Sequence, residues 1–277
     1  MGKAIFFDID GTLVNFQGRM PDSTKRALRQ VQRNGHRIVI CTGRSACQIY
    51  PWLLDMKFDG VIAAAGAYVE CDGQIIYEHH IEGEVFLAIM DLLESVDASY
   101  AAQTKDTILV TTDNKDRLID RFSAMGMDGD AVVHFSKSLQ IDDQIAGRND
   151  IEKFAFFDAL ITTSEIREAL SDYCDVTLIS LENPTEYAGE IICKGINKSS
   201  GIQKYIEYTG ITREDTIAFG DSANDIDMIE YAHVGIAMGN AIEELKKRAD
   251  YVTAGIDEDG IECALKNLGL LQPFDEV

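Results

Sequence analysis

The run Phe6-Phe7-Asp8-Ile9-Asp10-Gly11-Thr12 places two carboxylates two residues apart, directly behind the short apolar segment Ala4–Phe7. In an extended chain residues i and i+2 point to the same side, so Asp8 and Asp10 can face one site. A buried strand ending in such a pair carries an anionic site, and a divalent cation is the usual means of stabilising it. Two other polar groups follow apolar runs in the same way: Thr42, in Thr42-Gly43-Arg44, and Asp221, after Gly220. Lys198 stands near the start of a helical segment and could bring a cation to the same place, with Lys194 as a nearby competitor. Carboxylates, a hydroxyl, a lysine and an arginine gathered at helix N-termini suit a phosphate together with Mg²⁺. A phosphate dianion is repelled by Asp8, so the metal and Lys198 would have to offset that repulsion before attack. Hydrolysis of a phosphate monoester can need about 10²¹-fold acceleration, for which covalent catalysis by an aspartate with electrostatic stabilisation is a suitable route.

The elements that must position these groups alternate in type. After the strand ending at Asp8, the pattern predicts a helix from Asp22 to Asn34, a strand from Arg37 to Cys41, a helix from Ser45 to Leu54 and a strand from Gly60 to Ala64. The last third repeats the style, with strands at Thr216–Phe219, Val234–Met238 and Tyr251–Thr253 and a closing helix from about Glu258 to Leu268. Strand–helix alternation implies right-handed βαβ units and a doubly wound, mainly parallel, Rossmann-like α/β sheet. Ligands of such sheets bind beyond the carboxyl ends of the strands, where Asp8, Thr42 and Asp221 stand. The middle has a different rhythm: a helix with Phe86, Ile89, Met90 and Leu93 on one face, then strand candidates Ser99–Gln103, Thr107–Thr111, Glu152–Phe157 and Val176–Ile179. It is expected to be an inserted α/β domain over residues 84–186, within a discontinuous core of residues 1–83 and 187–277.

Composition narrows the function classes. Apolar residues make up 46% of the 277, enough for a real core and against global disorder. The net charge of −22 argues against nucleic acid or an anionic membrane as partner, since both reward basic surfaces. No apolar run is long enough to span a bilayer, and the expected location is the cytoplasm. The six cysteines show no CxxC or Cys/His spacing and are expected to be reduced core residues. His79-His80 is no ligand pair, because adjacent strand residues face opposite sides.

The phrases DIDGT (8–12), TGR (42–44), Lys198 in GINKSSGI and GDSANDIDM (220–228) resemble the four motifs of the haloacid dehalogenase-like phosphohydrolases, in their order. GIAMGNA (235–241) and DEDGIECAL (257–265) look like the Cof-type subfamily, which carries its larger α/β cap between the second and third motifs. The resemblance implies that Asp8 is the nucleophile forming an aspartyl-phosphate. Asp10 would protonate the leaving oxygen and then activate water. Thr42 and the Gly43 amide would hold the transferring phosphoryl group, and Lys198 would bridge Asp8 and the phosphate. Arg44, from its own position after the Thr42-Gly43 turn, is expected to contact substrate rather than to serve only as a surface ion-pair partner. Mg²⁺ would sit on Asp8, the backbone carbonyl of Asp10 and Asp221. Asp225 would support the metal's surroundings and Asn224 would orient phosphate or Lys198. The cap would cover the site and supply most of the specificity. One departure is Ala65-Gly66-Ala67, where the family often has Asn-Gly-Ala.

The expected function is therefore Mg²⁺-dependent hydrolysis of a small phosphorylated metabolite, with a sugar phosphate as the family-level expectation. A phosphomutase of the same superfamily is the enzymatic alternative. A receiver-like phosphoacceptor module is the alternative from another class, and Asp10 argues against it, because a switch would not want a general acid/base beside its phosphoaspartate.

Overall fold

Ala4, Ile5, Phe6 and Phe7 are all inaccessible to solvent, and they form the central strand of an eight-stranded sheet. A strand covered on both faces reads as a continuous apolar run rather than an alternating one. The computed structural model describes residues 2–124, 136–179 and 185–271, and the chain divides into two compact units. The first comprises Met1–Gly43, Tyr50–Glu78 and Asn197–Val277; the second comprises Arg44–Ile49 and His79–Ile196. Among the described residues no helix is long and apolar enough to cross a membrane.

In the first unit the strands lie in the order Tyr251–Val252, Val234–Ala237, Thr216–Gly220, Ala4–Phe7, Arg37–Cys41, Gly60–Ala63, Tyr68–Cys71 and Gln74–Glu78. From Tyr251–Val252 through Gly60–Ala63 all neighbours are parallel. The chain winds outward from Ala4–Phe7 in one direction and resumes beside it with Thr216–Gly220 in the other. The order therefore reverses at the strand that carries Asp8, which is where open α/β sheets bind ligands. Phe7 stacks on Phe219 with ring centroids 4.9 Å apart, and Phe6 meets Tyr205 edge-on at 5.7 Å, so aromatic packing ties the paired strands and the helix Lys198–Thr209 together.

Two local features differ from the sequence expectation. The single helix expected over Ser45–Leu54 is instead a 3₁₀ turn, Ala46–Gln48, and a one-turn helix, Pro51–Leu54. Pro51 has no N–H to continue the first turn and pushes Tyr50 out of the helical region (ψ 125°), so the segment breaks there. A hairpin, Tyr68–Cys71 with Gln74–Glu78, extends the sheet antiparallel at its edge. Its signal was present: Asp72-Gly73 supplies two successive positive φ angles, 50° and 76°, between β-type runs.

The second unit is an α/β domain on a six-stranded sheet ordered Cys174–Leu178, Gly189–Cys193, Lys153–Phe157, Ser99–Gln103, Ile108–Val110, Leu139–Ile141. Its pairs are antiparallel except the last, Ile108–Val110 with Leu139–Ile141. The helix Gly83–Ser95 buries Phe86, Ile89, Met90 and Leu93 against Tyr100, Phe154 and Phe156 of that sheet. The unit extends to Ile196 because Gly189–Cys193 pairs on both sides within this sheet.

Behind Gly60–Ala63 the backbone turns through Ala64, Ala65 and Gly66 at φ 46°, 52° and 106°. A β-carbon on Gly66 would lie 2.2 Å from the Asn197 carbonyl, so only glycine lets the helix that starts at Lys198 come this close. Alanine has no side-chain compensation in the left-handed region, which costs an L-residue about 1–2 kcal/mol, whereas asparagine enters it more readily. Ala65→Asn is therefore expected to stabilise the fold by about 0.5–1 kcal/mol, seen as a higher urea midpoint with an unchanged slope. A lower midpoint would show that the turn is not strained at this residue.

Candidate active site

Strand register brings the chemistry together. Phe7 is opposite Ile40 on one side and Phe219 on the other, so Asp8, Thr42 and Asp221 leave three adjacent parallel strands at the same edge. The Asp8 N–H donates to the Phe219 carbonyl at 3.0 Å, continuing the ladder one residue past the strand. Thr42 is buried and held in the same manner, its N–H donating to the Ile62 carbonyl at 2.8 Å and its carbonyl accepting from Ala65 N–H at 3.0 Å.

Lys198 lies at the centre of this edge with only 1% of its side chain exposed. Its ammonium donates to Asp8 Oδ1 at 2.6 Å and to Asp225 Oδ1 at 2.5 Å. The other oxygen of Asp225 accepts the N–H groups of Asp221 and Ser222, both at 2.9 Å. Asp225 therefore fixes the turn that carries Asp221 as well as the lysine tip. Asp221 in turn accepts from the Thr12 hydroxyl at 3.0 Å. Gly11 stands against it at φ 87°, and a β-carbon there would come within 2.2 Å of Asp221 Oδ2. Asn240 secures the same loop, donating to the Gly11 carbonyl at 2.8 Å and accepting from Ile256 N–H at 2.9 Å. Thr12 and Asn240 were not singled out from the sequence. Thr12 sits inside the DIDGT phrase and Asn240 inside GIAMGNA, but neither phrase discloses the residue's partner.

The remaining expected site residues are placed as follows. Gly43 follows Thr42 at the strand edge, and Asp10 lies close enough to Asp8 for its charge to act on it. Asn224 lies in the 3₁₀ turn Ala223–Asp225, its amide oxygen accepting from the Ser222 hydroxyl at 2.6 Å. Arg44 belongs to the second unit, where Nη1 donates to the Gln48 carbonyl at 2.9 Å. Lys194, the competitor of Lys198, is also in the second unit and donates to the Ser171 carbonyl at 2.6 Å.

The electrostatics of the cluster are unbalanced. Burial pushes the Asp8 carboxyl up; Lys198 pulls it back, and the charges of Asp225 and Asp10 raise it again, to about 7. Burial, then the charges of Asp8 and Asp225, push Asp221 up to about 8. Burial opposes the charge on Lys198, but Asp225 and Asp8 outweigh it and hold the ammonium well above the ordinary lysine range. One buried cation thus faces three buried carboxylates, and donor oxygens of Asp8, Asp221 and Asp225 lie within 4.8 Å of one another. That donor set, all hard oxygen with an excess of negative charge, fits a Mg²⁺-type cation.

This strand-edge cluster, at the reversal of a doubly wound sheet, defines a phosphoryl-transfer class of enzyme. A family of haloacid dehalogenase-like hydrolases matches residues 5–265, and the chain belongs to it, in its Cof-type branch. It is 30% identical to phosphatase YwpJ of Bacillus subtilis over 96% of this chain and 99% of that protein. Among solved structures it resembles the subclass IIB sugar phosphatase BT4131, at a TM-score of 0.78 and 32% identity, covering 97% of this chain and 99% of that one. A member of a phosphoryl-transfer superfamily, studied for a trigonal-bipyramidal intermediate, aligns at a TM-score of 0.81 and 32% identity over 98% of this chain and 100% of its own. The chain is a phosphatase of this superfamily.

The raised carboxyls predict a pH dependence for the metal-free protein. Groups with an ordinary value of 3.8 that rise to about 7 and about 8 on folding contribute stability that is fully present below 3.8 and is lost as pH climbs through 7 and 8. With EDTA, thermal unfolding is therefore expected at lower temperature at pH 8 than at pH 5.5. Mg²⁺ at about a hundredfold excess over its Kd should add about 2.7 kcal/mol at pH 8, and less where protons compete for the carboxylates. Stability in EDTA that rises toward pH 8 would contradict this.

Proposed function

We propose that the protein is a Mg²⁺-dependent phosphatase that hydrolyses a small phosphorylated metabolite through an aspartyl-phosphate on Asp8. The observation that carries the reading is the buried contact of Lys198 with both Asp8 and Asp225, beside Asp221. Asp8 is the only carboxylate of that trio at the end of the central strand, and the lysine keeps it poised without neutralising the whole cluster.

In the first step an Asp8 oxygen attacks phosphorus while the ester P–O bond breaks. Asp10 gives its proton to the departing alkoxide. In the second step Asp10, now a carboxylate, takes a proton from water as that water attacks the aspartyl-phosphate. Inorganic phosphate leaves and Asp8 is regenerated. Thr42 and the Gly43 N–H hold the phosphoryl oxygens, Lys198 screens Asp8 from them, and Arg44 and Asn224 contribute substrate and phosphate contacts. Asp8, the Asp10 carbonyl and Asp221 would hold Mg²⁺, with Asp225 supporting them. When bound, the metal supplies positive charge to the transferring phosphoryl group. A sugar phosphate is the proposed substrate class, supported by the likeness to a sugar phosphatase.

The test is a screen of phosphorylated metabolites, sugar phosphates foremost, with Mg²⁺ and with EDTA. Release of phosphate that depends on Mg²⁺ is the expected result. Equal release in EDTA would overturn the metal requirement, and preference for a phosphate other than a sugar's would overturn the substrate class.

A further inference from the structure

Lys198 is gripped at its tip by Asp8 and Asp225. A lysine has a flexible four-carbon stem, so those contacts alone do not fix the backbone from which it reaches. The first turn of a helix also leaves N–H groups with no intrahelical partner. In the helix Lys198–Thr209, Asn197 caps in the ordinary way, accepting Ser200 N–H at 2.8 Å and the Ser199 hydroxyl at 2.7 Å. The Ser199 N–H goes elsewhere. It donates at 2.9 Å to Asp227 Oδ2, 28 residues away in the first turn of the helix Ile226–Tyr231.

Asp225 and Asp227 therefore hold Lys198 from both ends, one at the ammonium and the other at the peptide that follows it. Both acids lie on one short segment, and Asp225 anchors that segment to the end of Thr216–Gly220 through the Asp221 and Ser222 N–H groups. The geometry points to Asp227 as a positioning residue for Lys198, joining the two helices so that the ammonium stays within hydrogen-bond reach of Asp8. This rests on the proposed function, in which Lys198 serves phosphoryl transfer from Asp8.

The experiment compares turnover of p-nitrophenyl phosphate, with Mg²⁺, by wild type, Asp227→Ala and Asp227→Asn, far below their unfolding temperatures. Misplacing the lysine should lower kcat by about 30-fold in Asp227→Ala with KM within about threefold, because substrate binding uses other groups. Asn keeps an acceptor oxygen, so Asp227→Asn should recover kcat to within about threefold of wild type. If Asp227→Ala does not fold, Asp227→Leu, which fills the space without an acceptor, replaces it. Full kcat in the folded Ala or Leu variant, or an Asn variant as slow as they are, overturns the proposal. So does failure of both to fold, which would make Asp227 a folding residue. A wild type that turns over no phosphate monoester overturns the proposed function and this inference with it, whereas an active wild type matched by Asp227→Ala overturns this inference alone.

Discussion

Asp8→Asn is expected to lower turnover by about 10⁵-fold while leaving the protein folded. Removing the nucleophile of a covalent mechanism costs on that scale, because the remaining groups can bind and polarise the phosphate but have nothing to transfer it to. The stability half of the expectation follows from the electrostatics. Burial and the neighbouring acids already push Asp8 up to about 7, so its ionised form is disfavoured in the metal-free cluster. A neutral isostere relieves that repulsion, and Lys198 keeps Asp225 as its partner at 2.5 Å. Steady-state phosphate release should therefore collapse while the EDTA unfolding temperature at pH 8 holds or rises. Turnover near wild type would remove Asp8 from the mechanism; a lower unfolding temperature would show that its charge is needed for folding.

Lys198→Met is expected to damage both properties. It deletes the one cation among three buried carboxylates, and breaking a buried pair leaves uncompensated charge worth about 3–5 kcal/mol. The loss should be full at pH 8 and smaller at pH 5.5, where Asp8 and Asp221, raised to about 7 and about 8, take up protons. Turnover should fall by about 10³-fold, the scale of removing one preorganised electrostatic group at a reacting oxyanion. Urea unfolding at the two pH values and phosphate release together check this. A stability loss independent of pH would point to lost packing of the lysine stem rather than to exposed charge.

Much of this site was legible from local sequence. The apolar run before Asp8 and Asp10 announces a covered central strand, but strand periodicity does not set the relation of the two acids: the strand ends at Phe7, and Asp10 lies beyond it in a bridge to Val14. Lys198 was distinguishable from Lys194 by its phrase, and the structure gives Lys194 a different partner, the Ser171 carbonyl. Pro51 splits the segment expected to be one helix, and Asp72-Gly73 turns a hairpin that extends the sheet. Both are short-range effects of restricted φ, and both stand in the sequence.

Asp225 was harder. Its place four residues after Asp221 suggested support for a metal, and it has that proximity, yet it is also the second anchor of Lys198, 27 residues away in sequence. Asn240 and Asp227 stand inside the phrases GIAMGNA and GDSANDIDM, but the phrases do not disclose their partners, because each acts on backbone from another part of the chain.

By itself the sequence determined which residue types stand at strand ends and helix starts, since the periods of strand and helix and the chemistry of caps are short-range. The tertiary structure alone decided which ends meet. Lys198 reaches Asp8 across 190 residues only because Thr216–Gly220 returns to pair beside Ala4–Phe7 and Gly66 lets the lysine's helix approach closely. The raised carboxyls are likewise a tertiary property, since burial and mutual repulsion exist only once the three acids share one low-dielectric edge.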